Sequence, residues 1–476
     1  MSKVIFWFRN DLRLEDNEGL VKAADMADVI PVYVFDERQF VKHRLGFDKT
    51  SARRVQFLLE SVADLKRNLQ KIGSDLIIRI GKPERILSDL AEDFECETIF
   101  TSKEIAQEET DVEIGLSKRL KPLNIDLELI WGATLYHVRD LPFKINHLPD
   151  VFTEFRKMTE KSAKVRATFA APKDLGLLPR SLEVGVLPTL KDLGYDEEVT
   201  KDDRAVLDFK GGETEGLARL QSYIWDKDLL KIYKETRNGL LGGDYSSKFS
   251  AWLSLGCLSP RTIYEAIKKY EYDRLKNEST YWLIFELIWR DYFHFVALKF
   301  GTRLFKPSGI KLDIDTEWKR YRPTFDKWME GNTGIPFIDA NMRELAETGF
   351  MSNRGRQNVA SFLVKDLHMD WTWGAAYFES QLIDYDVCSN WGNWNYVAGV
   401  GNDPRENRYF NILIQAKNYD AKAEYVKYWC PELQQVPVSQ VQSVGLLSRV
   451  DQARFEVTLG VDYPNPLVDP KKWLKD

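Results

Sequence analysis

The sequence predicts a chain in two structural parts, an α/β domain built on a parallel sheet and then an all-helical domain, and three observations predict it. Residues 4–130 alternate short apolar runs with helical patterns. From Ala170 to about Glu213 the chain carries helix-breaking prolines and a charged run. From about Glu213 to Trp429 the apolar spacing is helical almost throughout. A chain of 476 residues is also too long for one core.

Taken in order, Val4–Phe8, Val29–Phe35, Leu76–Ile80, Thr98–Thr101 and Leu127–Ile130 read as strands. Ser51–Ile72, Pro83–Glu92 and Asp111–Leu120 read as the helices between them. Strands that are apolar throughout and alternate with helices indicate a Rossmann-like parallel sheet covered on both faces. Pro172, Pro179 and Pro188, followed by YDEEVTKDDR, indicate a long surface linker. Ser259-Pro260 has the form of an N-cap followed by proline at the first helical position. The tail from Pro431 is short and mixed, and no repeat or low-complexity segment is visible. The expected division is 1–135 for the α/β domain, 136–212 for the linker and 213–476 for the helical domain.

Hydrophobic content of 44 % and charged content of 29 % are ordinary for a globular protein. Aromatic content of 13 %, with 14 Trp, is high and asks for a large helical core or a role in stacking or electron transfer. The net charge of −6 weighs mildly against a nucleic-acid partner, although a basic patch on an acidic protein still binds phosphates. Cys96, Cys257, Cys388 and Cys430 form no CxxC pair, which suggests a reducing compartment. With five scattered histidines they give no metal-site spacing, so no metal is expected. MSKVIFWFRNDLRLED reads as a strand followed by charges, not as a secretory signal, and no stretch reaches transmembrane length. These readings predict a cytoplasmic monomer that does not engage a membrane.

Common nucleotide signatures are missing. Gly399-Val-Gly401 is the nearest approach to GxGxxG, but Pro404 stands where the third glycine belongs, and no GxxxxGK[ST] occurs. Ser246, Ser247 and Ser250 offer hydroxyls and backbone N–H groups near a helix start, with Lys248 adding positive charge. That is a natural pyrophosphate cradle, and equally the composition of a serine-rich turn. Glu286, Trp289 and Arg290 share one helix face at i, i+3, i+4 amid apolar neighbours, so this charged stripe must line a cavity or form an ion pair. Asn353, Arg356, Gln357 and Ala360 repeat the spacing and would form a facing wall. Asp384 and Asp386, read without context, suggest general acid–base work.

Four segments carry a resemblance that covers nearly the whole chain: YSSKFSAWLSLGCLSPR (Tyr245 to Arg261), FELIWRDYF (Phe285 to Phe293), GFMSNRGRQNVASFLVKDL (Gly349 to Leu367) and LIDYDVCSNWGNWNYVAGVGNDPRENRYFN (Leu382 to Asn411). With the opening FWFRNDLRLEDN, they are similar to the photolyase/cryptochrome family. The resemblance implies an α/β antenna domain and a helical domain holding FAD folded into a U. It implies FAD contacts from Tyr233, Ser246, Ser247, Lys248, Phe249 and Ser250, and from Glu286, Arg290, Asn353, Arg356, Asp384, Asp386 and Asn390. Asp384 looks like the partner of Arg356, and Asn390 stands where photolyases place an asparagine against flavin N5. Asn390 and the tryptophans Trp318, Trp371 and Trp394, which match the family's electron-hopping chain, are thereby the expected catalytic residues.

The resemblance also implies a substrate. Glu286, Trp289, Asn353, Gln357, Tyr396, Arg405 and Arg408 would meet pyrimidine dimers in DNA. Asn353 and Gln357 stand where six-four photolyases carry histidines, and Gln357 with Tyr396 follows the DASH pattern, in place of the methionine and tryptophan of duplex-acting enzymes. WGATLYHVRDLPF and YKETRNGLLGGDYSSKFS are DASH-like as well. Less apolar stacking area favours single strands, where flipping costs little. DASH proteins hold 5,10-methenyltetrahydrofolate between the domains; Gln107 and Glu108 are candidate contacts, and equally an acidic helix start. The implied activity is blue-light dimer repair from reduced FAD, with a light-sensing cryptochrome as the alternative.

Overall fold

The computed structural model describes residues 2–196, 198–311, 317–405 and 409–474. Strands β1 (Lys3–Phe8), β2 (Asp28–Asp36), β3 (Ile77–Gly81), β4 (Thr98–Ser102) and β5 (Asp126–Ile130) form one parallel sheet in the order β3-β2-β1-β4-β5. Helices α1 (Glu18–Met26), α2 (Ala52–Lys71), α3 (Pro83–Asp93) and α4 (Gln107–Leu120) make the crossovers. The inner strands are buried along nearly their whole length, as a sheet covered on both faces requires. The edge strand β5, DLELI, departs from that expectation by exposing its acids. Asn17 accepts from Leu20 N to start α1, a nine-residue helix not anticipated above. Helix α4 begins at Gln107, one turn before the expected Asp111, because residues 107–110 already take helical geometry.

Segment 136–212 is less of a surface linker than its prolines suggest. It contains α5 (Phe152–Ser162), and it buries Leu175, Leu182, Leu193, Tyr195 and Val206. Val29 N donates to Leu175 O and Ile78 N to Val184 O, so the segment hydrogen-bonds the sheet domain.

The helical part runs through α6 (Glu213–Gln221), α7 (Tyr233–Thr236), α8 (Ser250–Ser254), α9 (Pro260–Asp273), α10 (Glu278–Phe300), α11 (Arg322–Met329), α12 (Pro336–Thr348), α13 (Asn353–Ser361), α14 (Trp371–Gln381) and α15 (Val387–Ala398). Ser259 caps α9 by accepting from Arg261 N, with Pro260 first in the helix. Asn277 and Thr280 form a capping box at the start of α10, and buried residues occupy almost every side of that central helix. Gly374 lets α14 and α15 close up, since a Cβ there would fall 2.3 Å from the Trp394 ring.

The loop after β1 joins the two parts. Leu12 N donates to Leu255 O at 3.1 Å, and Arg13 Nη1 to Gly256 O at 2.8 Å. The Glu213 carboxylate accepts from Leu14 N and Glu15 N at 3.0 and 2.9 Å. Asp16 holds Arg261 at 2.7 and 2.9 Å and accepts from Ser259 Oγ. Asp16, Arg13, Glu213 and Arg261 are all buried, none more than 5 % exposed. Breaking a buried pair leaves an uncompensated charge. We expect Asp16→Asn to lower unfolding free energy by about 3 kcal/mol, measured by urea denaturation; a change within 0.5 kcal/mol, as for an ordinary surface site, would refute this account of the seam.

Candidate functional site

The loop 243–250 turns its carbonyls toward one guanidinium. Arg219 donates to Gly243 O, Ser246 O and Ser247 O at 2.9, 3.1 and 3.0 Å. The backbone N–H groups of Ser246 to Ser250 then donate to no acceptor among the described residues. Five free donors in one short segment are the chemistry of an anion cradle, and that fits the pyrophosphate of FAD. Lys248 takes φ +57 and is buried, with Nζ 3.2 Å above the Tyr245 ring. Burial pushes its pKa well down, against the pull of Glu344. Phe249 packs into the core against Tyr223, and Tyr233 is also buried.

Glu344, on α12, lies beneath this loop with no solvent exposure. Tyr425 OH donates to its Oε2 at 2.6 Å, while Oε1 has no partner. Burial pushes its carboxyl up to about 7.

On α10, Glu286 meets Arg237 at 2.8 Å, and burial raises its pKa. Trp289 stacks on Phe152 of α5, with centroids 3.6 Å apart and planes 10° from parallel. Its edge meets Tyr396 at 6.0 Å and 87°. Arg405 hydrogen-bonds Tyr396 and Asp403, so three of the expected substrate residues adjoin. Arg290, one turn on from Glu286, leaves the stripe that its spacing suggested. It donates to Ala133 O and lies 3.5 Å from Asp386 Oδ2. The reason is electrostatic: Asp386 caps α15 by accepting from Ser389 N, and this half-buried carboxylate draws cations. Burial alone would raise its pKa, but His294 at 3.2 Å and Arg290 hold it well below the usual carboxylate range. His294, Asp386 and Cys388 place one potential metal-ligand atom each within 4.8 Å of one another, a grouping from two helices that spacing did not show. Arg290 already balances Asp386 there.

Across from α10, Ser352 caps α13 by accepting from Gly355 N. Asn353 is exposed at the helix start. Gln357 Oε1 accepts from Arg354, which also donates to Asn238. Ala360 is buried in the core instead of joining that wall. Arg356 Nη2 bridges both oxygens of Asp384 at 3.0 and 2.9 Å, as the resemblance implied. Asn390 Nδ2 donates to Ala375 O at 3.0 Å, which fixes the amide and leaves Oδ1 as the side chain's acceptor. Arg408 lies outside the described residues.

Trp394 is 2 % exposed and packs edge-on to Phe378 at 5.1 Å and Trp328 at 6.3 Å. The indole N–H groups of Trp371 and Trp318 both donate to Pro307 O, at 2.9 and 3.1 Å, so their nitrogens lie close together. Trp371 is fully buried, while Trp318 is partly exposed. Trp371 and Trp318 thus adjoin, the one inside and the other at the surface, while Trp394 packs among the rings of Trp328 and Phe378.

A cavity of about 910 Å³ lies between the two parts, at the carboxyl ends of β1 and β4 where the strand order reverses. That is where open α/β sheets bind ligands. Arg9–Asp11, Lys103–Glu109, Arg290, His294, Asp386 and Trp391 contribute to its wall. Gln107 and Glu108 are exposed on its rim, Glu108 paired with Lys49. Glu109, not singled out from sequence, is more enclosed; burial pushes it up to about 7 and its Oε2 has no partner.

Residues 4–173 match the DNA photolyase family model, and residues 282–475 match the FAD binding domain of DNA photolyase. A cryptochrome DASH of Gloeobacter violaceus is 55 % identical over 98 % of this chain and 93 % of its own. The crystal structure of a Synechocystis cryptochrome superposes with a TM-score of 0.96 at 50 % identity, covering 100 % of this chain and 98 % of that one. A class III photolyase from Agrobacterium tumefaciens gives 0.85 at 29 %, covering 99 % and 95 %. Among the described residues no helix is long and apolar enough to cross a membrane.

The buried Glu344 predicts a pH dependence. Its folded pKa, about 7, lies above the ordinary 4.5, so folding favours its neutral form. Its stabilising contribution is complete below 4.5 and is lost as pH rises through 7. Going from pH 5 to pH 8, wild type should lose on the order of 3 kcal/mol relative to Glu344→Gln. Urea unfolding of both at the two pH values measures it; parallel curves would contradict it.

Proposed function

The chain belongs to the photolyase/cryptochrome family, on its cryptochrome DASH branch, and from that premise we propose that it is a blue-light-driven lyase that splits cyclobutane pyrimidine dimers, preferentially in single-stranded DNA. FAD, reduced and excited by light, would supply the electron that opens the dimer. In this reading Ser246 to Ser250 receive its pyrophosphate on free N–H groups, and the Arg356–Asp384 pair borders its ring. 5,10-Methenyltetrahydrofolate would occupy the cavity at the strand ends, past Gln107 and Glu108.

The observation that carries the reading is Asn390. Ala375 O takes one of its two Nδ2 hydrogens and so fixes which way the amide faces, Oδ1 remains as an acceptor, and an amide cannot titrate. An acceptor beside N5 suits the protonated nitrogen of a reduced flavin and supplies no proton to an oxidised one. That favours repair over sensing. The single-strand preference is supported by the aromatic wall. One face of Trp289 is covered by Phe152, and Tyr396 is edge-on to it and hydrogen-bonded to Arg405. Little open ring remains to offset the cost of flipping bases from a duplex.

The deciding experiment is dimer repair under blue light on matched single-stranded and duplex oligonucleotides. Repair of the single strand at least tenfold faster is expected, since the flipping cost of a few kcal/mol falls on the duplex alone; equal rates would refute the preference, and no repair would refute the activity.

Trp394→Phe should abolish photoreduction of the oxidised holoprotein yet leave repair by chemically reduced protein within about twofold, because hopping recharges the flavin and is separate from repair. Loss of repair in the pre-reduced variant would reassign Trp394.

Gln357→Met with Tyr396→Trp adds stacking surface worth roughly 1–3 kcal/mol per base. The ratio of duplex to single-strand dissociation constants, at one salt concentration, should fall by about tenfold or more. An unchanged ratio would place the discrimination in backbone contacts such as Arg405.

A further inference from the structure

The tryptophan path has a neighbour that the repair mechanism does not use. Trp391 lies edge-on to Trp371, with centroids 5.8 Å apart and planes at 76°. It stands on the wall of the cavity between sheet and helices, which Trp318 does not line. Its indole N–H lies 3.3 Å from both Tyr385 OH and Glu379 Oε2. The Tyr385 phenol and the Glu379 carboxylate therefore adjoin at that one N–H. Arg54 covers the Tyr385 ring at 4.3 Å. Tyr385 and Glu379 both line the same cavity.

We propose that the electron relay forks at Trp371, and that its second arm runs through Trp391 to Tyr385, which is oxidised as its proton passes to Glu379. The proposal rests on the flavin photochemistry argued above. The geometry meets each requirement of such a step. Trp391 is in ring contact with Trp371, which is the condition for a hop. A phenol that loses an electron becomes strongly acidic and must lose its proton, and a carboxylate within hydrogen-bond reach is the acceptor. The guanidinium over the ring opposes any positive charge on it, so electron and proton leave together. Burial raises the Glu379 pKa, and Lys49 and Arg54 oppose the rise only in part, so its carboxylate is a stronger base toward the phenolic proton than an exposed one.

The balance is simple. Trp394 would give one electron to the photoexcited oxidised flavin of the FAD site, and the vacancy would pass to Trp371 and then Trp391. Tyr385 gives an electron to the Trp391 cation, restoring the neutral indole, and its phenolic proton moves to Glu379. The result is a neutral tyrosyl radical and a protonated glutamic acid facing the cavity, in place of a tryptophan radical facing bulk water. The ordinary alternative is a hydrogen-bonded wall with no redox role.

Flash excitation of the oxidised holoprotein, read by EPR and transient absorption, separates the two. In Trp318→Phe, with the outer arm removed, a long-lived neutral tyrosyl signal is expected. In Trp318→Phe with Tyr385→Phe that signal should vanish, and the yield of long-lived charge separation should fall roughly tenfold. Trp318→Phe with Trp391→Phe should do the same. Flavin content and melting temperature, measured on each variant, identify any that fails to fold. A tyrosyl signal surviving Tyr385→Phe, or Trp318→Phe giving only tryptophan radicals, would overturn the fork alone. No flash-induced radical in wild type would overturn the photochemical reading on which it rests, and the fork with it.

Discussion

The buried ion pair between Asp16 and Arg261 is the constraint on which the rest depends. Charges with no access to water are tolerated only when every one is met by another polar group. Here the loop after β1 brings Asp11, Arg13 and Asp16 inside, and the helical part answers with Glu213, Ser259, Arg261 and the carbonyl of Gly256. Gly256 itself takes φ +63, and a Cβ there would fall 2.0 Å from Asn10 O. Any rotation of one part against the other would strand several charges at once. The two parts therefore have one relative orientation, and the cavity between them has one shape.

The same logic recurs at smaller scale around the site. Arg219 gathers three carbonyls and so frees five N–H groups on the other side of the loop. Asp386 caps a helix, and drawing Arg290 and His294 to itself sets the back wall of the cavity. Arg356 and Asp384 neutralise each other where an uncharged heterocycle is expected to lie. In each case a charged side chain does its work by arranging its neighbours, which is how a pocket gains donors and acceptors without carrying net charge.

Much of the fold was legible in the sequence. All five strands begin and end within about two residues of the apolar runs that mark them, and β1, β2 and β4 are plainest because a strand buried on both faces has no polar positions to blur its pattern. Helix α1 escaped notice: nine residues between two strands are too few for a period to stand out. The linker misled because its prolines report local backbone and say nothing of Leu175 or Tyr195, which bury against the rest of the chain. At the site, Arg356 and Asp384 were paired through the family resemblance, not through periodicity. Arg290 was misplaced since helical spacing fixes where a Cβ starts, not where a long side chain ends when a buried carboxylate lies within its reach. His294, four residues beyond Arg290, offered the one available signal for that cluster. Glu344 and Arg237 offered none, as each gains its role from a partner distant in sequence.

The cavity at the strand ends belongs to neither part alone. Its floor is complete once β4 and the start of α4 exist, but its roof waits for α10, α14 and α15, whose last contribution is Trp391. Domains generally fold as they leave the ribosome, the N-terminal one first. The sheet domain, complete at Ile130, must then stand for the time needed to make about 260 further residues, at about 5–20 per second, with the charges of Arg9–Asp16 still facing water. Docking is what desolvates them. A small molecule cannot be enclosed during synthesis of the sheet; it must enter a finished or nearly finished protein, so its arrival is a late event in maturation, separable in time from the folding of either half.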